Sequence, residues 1–130
     1  MICRFLIITA FLTLCVCCDE DHRNDYYDYL APTYIDTVMM SDTVAVDDNV
    51  SVVHFYPYGC NSFERLDCDV TSDTLILDAI LRFKFEGKPC AHGSGLTATV
   101  HTLCFTGPGT YVVTYEKNES TTVYQPVVAE

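Results

Sequence analysis

The chain has 130 residues, with 7 basic against 18 acidic side chains and a formal net charge of −11 at neutral pH. Such a balance excludes nucleic acid as a partner, because no basic stripe exists to displace phosphate counterions, and it disfavours anionic membrane surfaces. The length suits one small domain with a tail.

Residues 1–18, MICRFLIITAFLTLCVCC, read as a secretory signal peptide. Arg4 supplies the positive start, Phe5 to Leu14 the apolar stretch, and Val16 and Cys18 the small residues before a cleavage ahead of Asp19. The apolar run is short for a bilayer span and is followed at once by Asp-Glu-Asp, so a membrane anchor is not expected. The expected product is secreted and soluble. Four of the eight cysteines (Cys3, Cys15, Cys17 and Cys18) leave with this leader, and so does Arg4.

Residues 19–50 carry nine acids and a single arginine, with apolar residues scattered at no steady period. High charge without periodicity predicts a flexible acidic arm. Tyr26, Tyr27, Tyr29 and Tyr34 lie in it beside Asp25, Asp28 and Asp36. Tyrosines among acids in an exported chain resemble substrates of tyrosine sulfation, and sulfates would offer a partner's basic patch charge-assisted hydrogen bonds. A solvated acidic linker is the plainer reading of the same composition.

From residue 51 to 130 the chain turns β-rich. The runs VSVVHFYPY, FERLDCDV, TLILDAILRFKFE, LTATVHTLCF, TYVVTYEK and TTVYQPVV are separated by Gly- and Pro-containing breaks. Thr97 to His101 and Tyr111 to Lys117 alternate with the period of a half-buried strand. Leu75 to Leu81 is compatible with two helical turns, but β-branched Thr74, Ile76 and Ile80 and the Phe83/Phe85 alternation favour a strand. Six or seven short strands predict an all-β sandwich. Its expected core draws on Val52, Phe55, Leu66, Leu77, Ile80, Phe83, Leu96, Leu103, Val113 and Tyr115.

Cys60, Cys68, Cys90 and Cys104 remain in the exported chain, an even number that favours two disulfides in one of three pairings. Zinc is disfavoured, since no CxxC pair exists and Cys90-Ala-His92 lacks ligand spacing. Asp67, Asp69, Asp73 and Asp78 have spacings akin to a calcium loop, but Ser72 stands where the turn glycine is needed. No metal or other cofactor is expected. Nor is catalysis: His54, His92 and His101 fall in separate runs, and no serine or cysteine sits in an activating motif. Two glycosylation sequons occur, at Asn49 and Asn118. Phe55, Tyr56 and Tyr58 cluster around Pro57. Tyr56 and Tyr58 are candidate binding residues, since aromatics dominate interface hot spots; the alternative places Phe55 in the core and both tyrosines over a sheet edge.

Several segments of 51–130 resemble the immunoglobulin superfamily. Leu66-Asp67-Cys68-Asp69-Val70 is similar to strand B, Ile80 to Pro89 to strand C with Phe83 in place of the family's tryptophan, Leu96 to Val100 to strand E, and Gly109-Thr110-Tyr111 to the tyrosine corner opening strand F. Val113 stands where the strand F cysteine belongs, so the usual bridge cannot form. The resemblance implies a substitute. With Cys68 pointing inward from strand B, Cys104 lies closest to the vacant position. The interleaved pairing, Cys60 with Cys90 and Cys68 with Cys104, is therefore favoured.

The layout also resembles the small secreted immunoglobulin-like accessory proteins of viruses, notably those of coronaviruses. That resemblance implies a secreted, immune-modulating glycoprotein that binds a host immune or cell-surface protein. The alternative is a sulfotyrosine-bearing inhibitor whose acidic arm binds a chemokine or a protease exosite.

Overall fold

The computed structural model describes residues 26–90 and 93–130; the expected signal peptide and arm residues 19–25 lie outside them, as does His92. Nine strands follow in order: β1 (Tyr27–Thr33), β2 (Ile35–Met39), β3 (Thr43–Val44), β4 (Asn49–Tyr56), β5 (Asn61–Thr71), β6 (Thr74–Phe85), β7 (Gly95–Thr102), β8 (Gly109–Asn118) and β9 (Thr121–Ala129). The six runs read from the sequence correspond to β4 to β9, and LILDAIL lies within strand β6. The all-β sandwich expected from them is present as two sheets, β1-β6-β8-β9-β3 with β5 beside β6, and β2-β4-β7.

β6 organises the larger sheet. One edge pairs with β5 across the tight turn Ser72–Asp73, where Ser72 takes a left-handed φ of 59°. The other edge is shared, with β1 along Ala79–Phe85 and β8, in parallel, along Thr74–Ile76. Along β6 the side chains alternate with period two: Leu75, Leu77, Ala79 and Leu81 are buried while Ile76 and Asp78 are exposed. Val113, Tyr111 and Tyr115 of β8 and Val127 and Ala129 of β9 continue this inner face. Ile35 and Val38 of β2 and Val50 and Val52 of β4 meet it from the smaller sheet.

Residues 26–50 are not the flexible arm that their composition predicts. β1 to β3 lie in this segment, and Ile35, Val38, Val44 and Val50 belong to the core. β2 buries two side chains, β3 one and β1 none, too few to register as a period. The expected core needs correction too. Phe55 and Leu96 project outward from the smaller sheet, and Ile80 and Phe83 are only half-buried.

Both disulfides follow the interleaved pairing. Cys60 joins Cys90 and Cys68 joins Cys104, with Cα atoms 5.1 and 5.9 Å apart. The second ties β5 to the segment after β7, beside Leu103 and Phe105. Val113 is fully buried instead of bridged. Tyr111 is buried as well, and its hydroxyl donates to the carbonyl of Gly107 (2.8 Å) with the Thr106 Oγ1 3.1 Å away. That bond closes the turn leading into β8.

His54 is the one polar side chain in the described core. Its ring stacks on Phe63 (centroids 5.0 Å apart), which also contacts His101 (5.3 Å), and its Nε2 has no hydrogen-bond partner among the described residues. Burial holds the His54 pKa below its usual value, against a weaker upward effect from the Phe55 carbonyl. Burial and the charge of His54 lower that of His101.

Three outcomes test this fold. The Cys68→Ala/Cys104→Ala double variant should lose about 3–4 kcal/mol in chemical denaturation, the value for a closed loop of that length; an unchanged midpoint would contradict the staple. Deleting residues 26–45 removes Ile35, Val38 and Val44 and should abolish cooperative unfolding. Because the folded pKa of His54 is depressed, its contribution is complete above the unfolded value of about 6.5 and is lost as pH falls below it. The melting temperature should therefore drop between about pH 7 and pH 5, and less so in His54→Leu.

Candidate functional site

The register of the smaller sheet decides what its outer surface carries. Thr37 pairs with Val53, Met39 with Ser51, Phe55 with Leu96, Val53 with Ala98, Ser51 with Val100, and Asn49 with Thr102. Side chains at these positions share one face. His54, Val52 and Val50 fill the opposite, inward face. None of these paired positions carries a charged side chain. Val100 is 68% exposed, Met39 62%, Leu96 54% and Phe55 37%. Isolated exposed apolar residues are ordinary, but a contiguous uncharged set on a strongly acidic chain is a candidate interaction surface.

Only part of the aromatic cluster around Pro57 contributes. Phe55 lies on the outer face, with its amide donating to the carbonyl of Tyr34 (2.9 Å). Tyr56 takes the inward parity and covers Gly95, where an added Cβ would stand 2.9 Å from the Tyr56 hydroxyl. Gly95 is therefore a close-approach position. Tyr58 is exposed at the following turn, which Asn61 Nδ2 holds by donating to the carbonyls of Pro57 (2.7 Å) and Gly59 (3.3 Å). The sequence gives no sign that Phe55, not Tyr56, faces solvent, because both neighbours of His54 in the alternation are apolar.

The sulfation candidates separate from one another. Tyr27 stacks on Phe85 and Tyr29 on Phe83, with centroids 5.6 and 5.0 Å apart. Tyr26 is exposed, and Tyr34 is half-buried between β1 and β2. Asp28 does not simply acidify this region, since Arg82 grips it bidentately through Nε (2.9 Å) and the terminal nitrogen (2.8 Å). The hydrogen bond from Arg82, with its charge and that of Lys84, holds the Asp28 carboxyl below its usual range.

The four aspartates spaced like a calcium loop do not form one. Asp67 faces Asp78 across β5 and β6, Asp69 faces Ile76, and Asp73 occupies the turn. Burial, then the charges of Glu116, Asp67 and Asp69, raises the Asp78 pKa. Among the described residues no group of three His, Cys, Asp or Glu side chains is placed to hold a metal ion.

Both sequons are exposed. Asn118 Oδ1 accepts from the amide (2.9 Å) and hydroxyl (3.0 Å) of Ser120 at the β8–β9 turn. Asn49 accepts from Thr102 Oγ1 (2.9 Å) and lies on the outer face described above, at the end remote from Phe55.

No family model matches the chain, and neither the curated proteins nor the solved structures contain a match to it.

Proposed function

We propose that the chain is a secreted, glycosylated, disulfide-stapled immunoglobulin-like binding protein, a viral accessory type of immune modulator with no enzymatic role. The observation that carries this reading is the uncharged apolar outer face of β2-β4-β7, with Phe55, Leu96, Val100 and Met39 projecting from it. Its partner is a host immune or cell-surface protein, and Phe55 and Met39 anchor the contact.

Local geometry supports the immunoglobulin-like reading at two points. The Tyr111 hydroxyl bonded back to Gly107 has the form of a tyrosine corner. In the smaller sheet β4 lies between β2 and β7, as strand B lies between A and E in that family. On this reading strand B is β4, and Cys68 belongs to the next strand, because β5 is the hairpin neighbour of β6 and the family keeps strands B and C in opposite sheets. The parallel pairing of β6 with β8 departs from the family's antiparallel sheets.

The alternative, a sulfotyrosine-bearing inhibitor of a chemokine or protease exosite, draws on the exposure of Tyr26 and Tyr29. It is weakened by the packing of Tyr27 and Tyr29 into a paired strand and by the Asp28–Arg82 bond. Flow cytometry on immune cells separates the two readings. Phe55→Lys should reduce binding of the secreted protein about thirtyfold, the effect of losing an interface hot spot, and Tyr26→Phe/Tyr29→Phe should leave it unchanged. The reverse pattern would favour the sulfotyrosine inhibitor, and equal binding by every variant would remove both surfaces.

A further inference from the structure

We infer that two copies of this chain associate edge to edge through β7, joining their smaller sheets into one six-stranded sheet. A strand edge presents unpaired amide and carbonyl groups, and proteins guard such edges with charges, prolines, bulges or short length. The other edges are guarded in these ways. β1 contains Asp28 and Pro32; β2 is five residues long with Asp36 and a register shift. β3 has two residues and covers β9 only at Val128 and Ala129, and the rest of that β9 edge is interrupted by Pro126. β5 carries Glu64, Arg65, Asp67 and Asp69 with a register shift of its own.

β7 has none of these devices. Its eight residues, GLTATVHT, contain no acid, Lys, Arg or proline, and all eight pair with β4 without a shift. No described strand pairs with its outer edge.

Charge selects a second copy as the occupant. Strongly acidic molecules of one kind repel at most orientations. β4 and β7 contain no Asp or Glu, so approach along β7 meets the least opposition. The strand is also self-complementary. An antiparallel pairing about a two-fold axis must keep outer face against outer face. Centred on Ala98, it sets Leu96 of one copy beside Val100 of the other, twice. Among the described residues those are two of the most exposed aliphatic side chains. The two outer faces then become continuous, which doubles the uncharged surface.

Edge pairing alone covers less than the roughly 1,200 Å² of a stable interface, so a reversible dimer is expected over about 1 µM to 1 mM. Sedimentation equilibrium on the secreted full chain should show a mass that rises from one copy towards two over that range. Asn49→Gln should behave alike, which separates the effect from a glycan at the Thr102 end of the face. Ala98→Lys, which sets two like charges together at the axis, should weaken association at least about tenfold without lowering the melting temperature. Leu96→Lys and Val100→Glu should each weaken it, and the L96K/V100E combination should restore it, because the new lysine of one copy meets the new glutamate of the other. A single-copy mass throughout in both the unaltered chain and Asn49→Gln would overturn the inference. So would a dimer indifferent to Ala98→Lys, which would place the contact, or another partner strand, elsewhere. Failure of the combination to restore association would overturn the Ala98-centred register.

Discussion

Strand β6 hydrogen-bonds to β5 along one edge and to β1 and β8 along the other, and its inward row of Leu75, Leu77, Ala79 and Leu81 is the floor on which the second sheet rests. Twelve residues in unbroken alternation make that row possible. Its length also lets two unrelated segments share one edge. β1 comes from the acidic N-terminal region and β8 from the C-terminal hairpin, and β6 places both in the same sheet. Core burial is tied to that placement, since the chain leaving β1 continues directly into β2, whose Ile35 and Val38 pack in the core.

Both crosslinks act on the outer strand β5 or the turn before it. Cys68–Cys104 fastens the outer strand β5 to the segment after β7 and so links the two sheets. Cys60–Cys90 closes the end where β5 and β6 extend towards the turn, near the main-chain bond from Lys84 to the Cys60 carbonyl. In a domain with a modest core, each loop of about 30 residues or more removes several kcal/mol of unfolded-state entropy in the chain-entropy model. Val113 can then serve as plain core.

Charge is distributed unevenly between the sheets, although both expose apolar side chains. The larger sheet carries the Asp67/Asp78/Glu116 group and the Asp28–Arg82 and Lys84–Glu86 pairs. The smaller sheet buries Ile35, Val38, Val50, Val52 and His54 on its inner face, and the paired positions of its outer face are uncharged. A strongly acidic molecule so built presents one neutral side, and both the proposed partner contact and the β7 pairing use that side. His54 belongs to the same division. It is buried among aromatic rings with no carboxylate to stabilise its charged form, so acid acts on the joint between the sheets.

Much of the fold was legible in the sequence. β-rich runs between Gly- and Pro-containing breaks located β4 to β9, with clear alternation in Thr97–His101 and Tyr111–Lys117. Cysteine parity limited the crosslinks to three pairings, and the vacant position at Val113 favoured the one observed. The candidate surface was not legible. Val50, Val52 and His54 on one parity of β4 and Val53 and Phe55 on the other are nearly equal in hydrophobicity, so the pattern alone did not decide which set turns inward. The register against β2 and β7 decided it, burying a histidine and exposing a phenylalanine. The acidic segment failed for a related reason: β1 to β3 are each too short or too charged to announce themselves, and their strand state depends on edges that β6 and β9 supply. Sequence by itself determined the strands β4 to β9, the crosslink number and the overall charge, which are local or additive properties. Which face meets solvent and which edge stays open were decided only by tertiary pairing, because both depend on partners distant in the chain.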